Sequence, residues 1–304
     1  MPGKNVTLVS VGEILWDVLP DGRLLGGAPA NVAWHALQMG ADAYIASAVG
    51  DDADGREILA RLRAMGMDTE TVSVVGDKPT STVDAMVDAA GNARYRIHED
   101  VAWDSLPVTP AVAALAARAD ILAFGSLAQR SPASAAAIRG ILDAASGRTL
   151  RVFDINLRPP HFTGATLVAG LERADVLKMN DEELPVVADL FGLPGEEEEA
   201  TLAGIVRRHP NLRCVIVTCG PGGALWYDRD GTVRMPPPET VEVIDTVGAG
   251  DSFTAAAALG LLKGWDKEAI LSRALRTASF VCSQRGATPE LPREIKQLFA
   301  ERPD

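Results

Sequence analysis

Nine residues, Asp245-Thr-Val-Gly-Ala-Gly-Asp-Ser-Phe253, lead into a long apolar segment and combine an anion cradle with a candidate general base. Gly248, Ala249 and Gly250 can direct successive backbone N–H groups at one point, where a helix that begins near Asp251 adds the positive end of its dipole. The Asp251 carboxylate can accept a hydroxyl proton while that oxygen attacks a phosphorus atom held by the N–H groups. The segment therefore predicts phosphoryl transfer.

An isolated Gly-Asp pair is more often a tight strand-to-helix turn in which the aspartate only caps the helix. The complete string, however, resembles the second signature of the PfkB carbohydrate kinases, also called the ribokinase-like family. Further segments resemble elements of this family, and the matches run from residue 12 to about residue 289. The resemblance implies an ATP-dependent sugar kinase with Asp251 as general base. It also implies that residues 1–304 form one ribokinase-like αβα sandwich with a mostly parallel sheet and a small β lid.

Composition limits the partners of the chain. With 304 residues and 47% hydrophobic content, the chain is long and apolar enough for one large α/β domain or two. A formal charge of −12 argues against nucleic acid or an anionic membrane as the main partner, because both require a basic surface. Three cysteines without a C-x-x-C pair, and no apolar stretch of about 18 residues, predict a cytoplasmic protein without a membrane span. Small molecules remain as the expected partners.

Strand-like and helix-like segments alternate along the chain, which is typical of a parallel sheet covered by helices. Helices are expected over 28–39 and 54–65, and the acidic run 196–199 is expected to open another. Strands are expected at 6–11, 44–49, 121–124, 150–155, 176–179 and 214–218. Two hairpin patterns, near 13–26 and 81–100, interrupt this alternation and predict a small second sheet over one end of the main sheet.

A sugar site is expected just after the first hairpin. Gly26 and Gly27 allow the backbone to approach a polyol closely, and the Asn31 amide can both donate to and accept from hydroxyl groups. The segment resembles the sugar-site glycine pair and asparagine of the family, and Asp17 resembles the carboxylate that binds a pair of sugar hydroxyls. The alternatives are a hairpin turn before a helix and, for Asp17, a solvated strand residue.

The D-x-N-x-R pattern Asp154-Ile-Asn-Leu-Arg158 follows a predicted strand and should lie at its carboxyl end, where open α/β sheets bind ligands. It resembles a pattern of fructokinases and 2-keto-3-deoxygluconate kinases, in which the asparagine and arginine face the substrate and the transferred phosphate. Asn156 is therefore a substrate-binding candidate. Arg158 could neutralise charge on the γ-phosphoryl group, unless it is a surface arginine beside the following prolines.

Three further segments are expected on the nucleotide side. Asn180 and Glu183 resemble the N-x-x-E element of the family, which implies that Glu183 holds Mg²⁺ through water; helix N-terminal acids are the alternative. The loop that begins at Thr218, with Gly220 and Gly223, resembles the T-x-G loop at the nucleotide phosphates, although a plain glycine turn would look the same. The segment from Cys282 resembles the border of the adenine pocket and of a monovalent-cation site. Asp245 is a candidate for that site, and K⁺ binding stays open because backbone carbonyls alone can form such a site.

The substrate is the least determined part of the prediction. The segments 97–104 and 124–130, with the D-x-N-x-R pattern, look most like bacterial fructokinases, so the expected reaction converts D-fructose to fructose 6-phosphate. A sugar acid would need a cation facing its carboxylate. Arg94 or Arg96 could supply one, so 2-keto-3-deoxygluconate kinase is the alternative. The intact Asp251 disfavours a non-catalytic sugar-binding or regulatory protein. The resemblance to the family also implies a homodimer formed through the lid.

Overall fold

The computed structural model describes residues 5–19, 22–87, 93–194, 197–237 and 241–300, and in them strands and helices alternate as the sequence predicts. The strands are β1 (Thr7–Val11), β2 (Leu15–Leu19), β3 (Gly22–Gly26), β4 (Asp42–Gly50), β5 (Val72–Val75), β6 (Ser81–Val87), β7 (Ala93–Ile97), β8 (Ile121–Phe124), β9 (Leu150–Asp154), β10 (Val176–Asn180), β11 (Cys214–Thr218), β12 (Ala224–Asp228) and β13 (Gly231–Met235). The helices are α1 (Ala28–Gln38), α2 (Ala53–Ala64), α3 (Pro110–Arg118), α4 (Pro132–Ala144), α5 (Gly164–Leu171), α6 (Leu184–Phe191), α7 (Glu198–Arg208), α8 (Ala249–Leu262), α9 (Lys267–Cys282) and α10 (Arg293–Ala300).

The main sheet has the strand order β13-β12-β11-β10-β9-β8-β1-β4-β5. Its strands from β11 to β5 pair in parallel, and only β12 and β13 are antiparallel at one edge. Strands such as β1 and β8 are buried along their whole length, which explains why they read as continuous apolar runs. Two buried clusters pack on the two faces, one containing α1, α8 and α9 and the other containing α3, α4 and α5.

The two hairpins form a separate four-stranded sheet, the lid, with the order β3-β2-β6-β7. β2 pairs with β3, and β6 with β7, in antiparallel fashion, as the alternation predicts. The hairpins are joined by parallel pairing of β2 with β6, a contact between distant segments that local patterns do not encode. The expected turn at Pro20 and Asp21, and the one at 90–92, lie outside the described residues.

The lid is fastened to the main domain through Trp16, which is fully buried. Its indole nitrogen donates to the backbone oxygen of Asp54 at 3.3 Å, and the guanidinium groups of Arg23 and Arg61 lie 4.5 and 4.6 Å from its ring centroid. These contacts hold β2 against α2. In the described part of the chain, moreover, none of the helices is both long and apolar enough to cross a membrane.

The topology brings one end of the main sheet together with two helix N-termini. The carboxyl ends of β1, β8, β9 and β10 lie at the same edge because these strands are parallel. α1 and α8 pack against each other, and α8 also contacts β9. Segments that are more than 200 residues apart in sequence, at the start of α1 and the start of α8, are thus neighbours at this edge.

Candidate active site

The glycine-rich turn before α8 has the geometry that the sequence predicts for an anion cradle. α8 begins at Ala249, two residues before the predicted start, after Gly248 in the left-handed region at φ 79° and without a side-chain cap. A Cβ atom on Gly248 would lie 2.5 Å from the Ala287 backbone oxygen, so only glycine fits this turn. Asp251 therefore lies inside the first turn and is not the N-cap, and the helix N-terminus keeps N–H groups for a ligand.

Asp251 is buried at 8% exposure and is held by Asn31 of α1. The Asn31 amide nitrogen donates to Asp251 Oδ2 at 2.8 Å, across 220 residues of sequence. Burial, with a smaller contribution from the Asp154 charge, raises the Asp251 pKa to about 6, although the Asn31 hydrogen bond, Lys178 and Arg158 oppose this rise. An aspartate with this pKa is ionised at neutral pH and is a stronger base than an exposed one.

A buried ion pair that the sequence analysis missed lies beneath this turn. Lys178 Nζ, on β10, lies 3.2 Å from Asp154 Oδ2 at the end of β9, and Thr254 Oγ1 donates to the same oxygen at 2.6 Å. Burial would lower the Lys178 pKa, but Asp154, Glu183 and Asp251 raise it above its usual value, so the ammonium stays charged. A Cβ atom on Gly250 would lie 3.0 Å from Lys178 Nζ, which places a cation directly beside the cradle. The signal in the sequence was a lysine inside the apolar strand Val176–Asn180.

The predicted sugar residues meet at the junction of the lid and α1. Gly26 leaves room there for the Asp17 carboxylate, because an added Cβ would lie 2.1 Å from Asp17 Oδ2. Gly27, at φ 106°, brings its backbone so close to Glu13 that an added Cβ would lie 2.6 Å from the Glu13 backbone oxygen. Burial raises the Asp17 pKa to about 6, an effect that Arg158 opposes and Asp245 reinforces. Asp17 is thus a half-buried, partly desolvated carboxylate, and its sugar-binding role stays a prediction.

The D-x-N-x-R segment follows β9 at the expected edge. Asn156 lies in the left-handed region at φ 38°, which is uncommon for a residue other than glycine and often marks a functional site. The Arg158 guanidinium donates to the Leu157 oxygen at 3.0 Å, and its charge lowers the pKa values of both Asp17 and Asp251, after the larger effect of burial that raises them. Arg158 thus acts electrostatically on both the sugar-side carboxylate and the candidate base.

Asn180 and Glu183 form a reciprocal pair at the start of α6. The Asn180 backbone N–H donates to Glu183 Oε2, and the Glu183 N–H donates to Asn180 Oδ1, both at 2.8 Å. Glu183 Oε1 also accepts from the Leu157 N–H at 2.6 Å, which ties the D-x-N-x-R segment to β10. Among the described residues, no three His, Cys, Asp or Glu side chains are arranged to hold a metal ion directly. The expected magnesium contact of Glu183 through water stays a prediction.

The remaining residues predicted for the nucleotide side lie in the loop after β11 and in the segments around Asp245 and Cys282. Thr218 is the last residue of β11. After it, Gly220 and Gly223, with positive φ values of 49° and 86°, turn the chain into β12. Asp245 accepts from the N–H groups of Val247 and Gly286, both at 3.0 Å, and so joins the cradle segment to the 286 loop. The Cys282 backbone oxygen accepts from the N–H groups of residues 244 and 245. Their nucleotide and cation roles stay predictions.

Arg96 and His98 lie on the lid side of the site. Arg96, on β7, is exposed and lies opposite Asp84 of β6, while the Arg94 side chain is outside the described residues. His98 lies 2.8 Å from Asp84 through Nε2. An exposed Arg96 agrees with the alternative that it is a solvated strand position in the free protein.

A pocket opens between the carboxyl ends of β1, β8 and β9 and the N-termini of α1 and α8. Its polar lining includes Asp154, Asn156 and Asp251, together with Glu13, Ser10 and Ser126. Glu13 is a second residue that the sequence analysis missed, although it lies in the quoted family match at residue 12 and onward. Burial raises its pKa to about 7, opposed by its own backbone N–H, and the Asp251 charge adds to the rise.

The chain resembles known carbohydrate kinases along most of its length. The family model described as "pfkB family carbohydrate kinase" matches residues 22–294. Fructokinase-1 of Oryza sativa subsp. japonica is 27% identical over 98% of this chain and 98% of its own length. An uncharacterized sugar kinase of Pyrococcus horikoshii, PH1459, superposes with a TM-score of 0.80 at 27% identity, covering 97% of each chain. A fructokinase of Xylella fastidiosa with bound ATP superposes with a TM-score of 0.83 at 22% identity, covering 97% of this chain and 98% of that one.

Proposed function

The chain belongs to the pfkB family of carbohydrate kinases, a phosphotransferase family, and from this we propose that it transfers the γ-phosphoryl group of ATP to a hydroxyl of D-fructose. The observation that carries the proposal is the buried Asp251, held by Asn31 at 2.8 Å, in the first turn of a helix whose N-terminus has no side-chain cap. A base and an anion cradle within one helical turn are what direct attack of a hydroxyl oxygen on a phosphorus atom requires.

In the proposed mechanism, Asp251 accepts the proton of the attacking hydroxyl while the sugar oxygen bonds to the γ-phosphorus and ADP leaves. The N–H groups at the start of α8 stabilise the negative charge on the transferred group, because a helix N-terminus carries partial positive charge. Arg158 and the buried Lys178 add full positive charges close by. Asn31 orients the carboxylate, and the sugar is held by Asp17, Asn31, Asn156 and the backbone at Gly26 and Gly27.

Mg²⁺ fits the acids at the nucleotide side. A carboxylate has about four acceptor positions, and Glu183 uses two of them on backbone N–H groups, so its free lone pairs suit a contact through water. The metal would neutralise charge on the β- and γ-phosphates. We propose that Asn180, Thr218, Gly220, Gly223 and Cys282 border the nucleotide, and that Asp245 lies at a K⁺ site.

Fructose is preferred to a sugar acid because the pocket beside Asp251 is lined by carboxylates. Glu13, Asp154 and Asp251 all contribute to it. Of the two nearby cations, Arg158 and Lys178, the second is already paired with Asp154. An anionic group there would be repelled, whereas a hydroxyl would be accepted. The full-length similarity to fructokinases points in the same direction. We also infer one domain over residues 1–304, a cytoplasmic location where ATP is supplied, and dimerisation through the lid.

The test is ADP release from Mg²⁺-ATP with fructose, glucose, ribose, 2-keto-3-deoxygluconate, fructose 6-phosphate and adenosine, each with and without K⁺. Turnover confined to fructose is expected. Turnover confined to the sugar acid would instead assign the lid arginine Arg96 to its carboxylate. Absence of turnover with every acceptor, in protein that still binds ATP, would contradict the kinase reaction and favour a sugar-binding or regulatory protein.

A further inference from the structure

The floor of the pocket contains polar atoms that the protein itself does not satisfy. Within the described part of the chain, Glu13 Oε2, Ser126 Oγ and Asp154 Oδ1 are buried without a hydrogen-bond partner. All three residues line the pocket that Asp251 also lines. Glu13 is 4% exposed and Ser126 is fully buried. A buried polar atom without a partner is destabilising, so such atoms are rare unless a ligand or water completes them.

Glu13 reaches this position because β1 ends at Val11 and the chain then passes beneath the start of α1. Gly27 has no side chain at the point where its backbone contacts the Glu13 backbone oxygen, so strand end and helix start approach closely. Ser126 follows β8, the strand beside β1 in the sheet. The two side chains therefore come from neighbouring strand ends, on rigid elements rather than on the lid.

Resting on the proposed sugar kinase reaction, we infer that Glu13 is a specificity-determining residue. Together with Ser126 it binds a second hydroxyl of the sugar, next to the hydroxyl that Asp251 deprotonates. A carboxylate oxygen and a serine hydroxyl can together accept from and donate to a sugar hydroxyl. The surrounding carboxylates of Asp154 and Asp251 exclude an anionic group from the same place. Glu13 acts in substrate recognition and not as a second base, because Asp251 already accepts the proton of the attacking hydroxyl.

A site built to hydrogen-bond a hydroxyl rejects analogues that lack it, because its own buried polar groups are then left unpaired. This gives a test in which substrate and protein are changed together. The specificity constant kcat/KM would be measured by ADP release for the unmodified protein, Glu13→Ala, Glu13→Gln and Ser126→Ala. The acceptors would be fructose and its single-deoxy analogues, each lacking one hydroxyl other than the phosphorylated one.

On fructose, Glu13→Ala is expected to lower kcat/KM by about 10- to 100-fold, the effect of one hydrogen bond to a charged group. On the one analogue that lacks the bound hydroxyl, this loss should vanish, and the variant should be at least as active as the unmodified protein because it no longer leaves a buried carboxylate unpaired. Glu13→Gln keeps a hydrogen-bonding group and should recover part of the loss on fructose. Ser126→Ala should also lower kcat/KM on fructose but not on that analogue, by a smaller factor than Glu13→Ala.

The inference is overturned if Glu13→Ala lowers kcat/KM by the same factor on every analogue, since a merely structural role would produce that result. If Glu13→Ala does not fold, judged by its thermal unfolding transition, Ser126→Ala and Glu13→Gln decide the question by the same criterion. Glu268→Gln, an exposed carboxylate in the first turn of α9, serves as the matched control and should leave all values unchanged.

Failure of the fructose assignment can be distinguished from failure of the proposed role of Glu13. If the unmodified protein releases no ADP with fructose, the fructose assignment fails. The same cycle would then be carried out with the deoxy analogues of whichever sugar in the panel is phosphorylated. The role of Glu13 is still upheld or overturned by whether its effect vanishes on one analogue.

Discussion

Two groups of acids at the active edge use their oxygens in different ways. Among the pocket acids, Asp154 and Asp251 bond to side chains, and Glu13 and Asp154 each keep one oxygen without a partner among the described residues, although the Glu13 carboxylate also accepts from backbone N–H groups. The tethered acids, Glu183 and Asp245, each accept two backbone N–H groups, one on each oxygen. Both groups lie at the ends of strands or at helix starts. We therefore expect the two groups of carboxylates to have different roles.

A carboxylate that is buried with hydrogen-bonding capacity to spare costs stability and is available to a ligand. Burial raises the pKa of Glu13 to about 7 and that of Asp251 to about 6. A carboxylate bonded to the backbone of two segments fixes those segments relative to each other. If this distinction holds, substitutions of the pocket acids should change the reaction more than the stability. Substitutions of the tethered acids should do the reverse.

The largest effect is expected for Asp251→Asn. Removal of the base should lower kcat by about 10²- to 10⁴-fold, while the isosteric amide leaves fructose binding intact. Stability should rise, because an acid whose pKa is raised by folding penalises the folded state at pH values above its unfolded pKa. At pH 7 the gain should be about 1–3 kcal/mol, and it should vanish as the pH falls through 4.

ADP release, calorimetric titration with fructose and urea unfolding at pH 7 and pH 4 would measure these three quantities for Asp251→Asn. A variant that turns over at the rate of the unmodified protein would show that Asp251 is not the base. A variant that is less stable at pH 7 would show that the carboxylate is a tethering group after all.

The second effect concerns the cation that compensates the pocket acids. Lys178→Met preserves length and volume but leaves Asp154 and Asp251 without their buried positive charge, so we expect a loss of about 3–5 kcal/mol in unfolding free energy. Lys296→Met, which removes an ion pair with the exposed Glu290, should change it by less than about 1 kcal/mol. Equal losses in the two variants, measured by urea unfolding, would contradict the role of Lys178.

The sequence predicts the architecture well because the strands and helices differ in local periodicity. β8 and β11 have the predicted bounds, and the lid hairpins follow from alternation over five to seven residues. The parallel pairing of β2 with β6 could not be predicted, because it joins segments about 65 residues apart. Nothing local distinguishes that register from others.

The active site, too, could be predicted from the sequence only where its contacts are local. The family motifs bring Asp251, Asn31 and Asp17 to attention individually, but the hydrogen bond between Asn31 and Asp251 spans 220 residues and exists only once α1 packs on α8. Lys178 was missed because an isolated charge in an apolar strand has no partner until the neighbouring strand is known, and Glu13 because no local pattern shows that its side chain lines a pocket. The N-x-x-E element was recognised because its hydrogen bonds are local, between residues three apart.

The third effect tests a tethered acid. Glu183→Gln replaces a carboxylate that accepts from the Leu157 and Asn180 N–H groups by an amide with one acceptor oxygen. One backbone N–H then faces an NH₂ group, which costs about 1–3 kcal/mol in unfolding free energy. Burial raises the Glu183 pKa, so removal of its charge offsets part of this cost, and we expect a net loss at the lower end of that range. At saturating Mg²⁺ the value of kcat should fall less than about tenfold, far less than for Asp251→Asn.

Glu182→Gln, an exposed neighbour in the same turn, is the control for Glu183→Gln. A higher Mg²⁺ concentration for half-maximal rate in Glu183→Gln alone would support the proposed contact through water. A large fall in kcat without any loss of stability would instead move Glu183 into the group of pocket acids and break the distinction.

The smallest effect is a displacement of the pH profile. Because Asp251 acts as a base only when ionised, kcat/KM should fall at least tenfold per unit below its pKa of about 6, and Glu13, with a pKa of about 7, should add a weaker dependence near neutral pH. Asn31→Leu removes the hydrogen bond that lowers this pKa, so the acidic limb should move upward by about one unit or less. Asn31→Asp would move it further in the same direction, since a second carboxylate disfavours ionisation of the first. If the limb of Asn31→Leu stays in place while only KM for fructose rises, Asn31 serves the sugar alone, and the pKa of the base is set by burial and by Lys178.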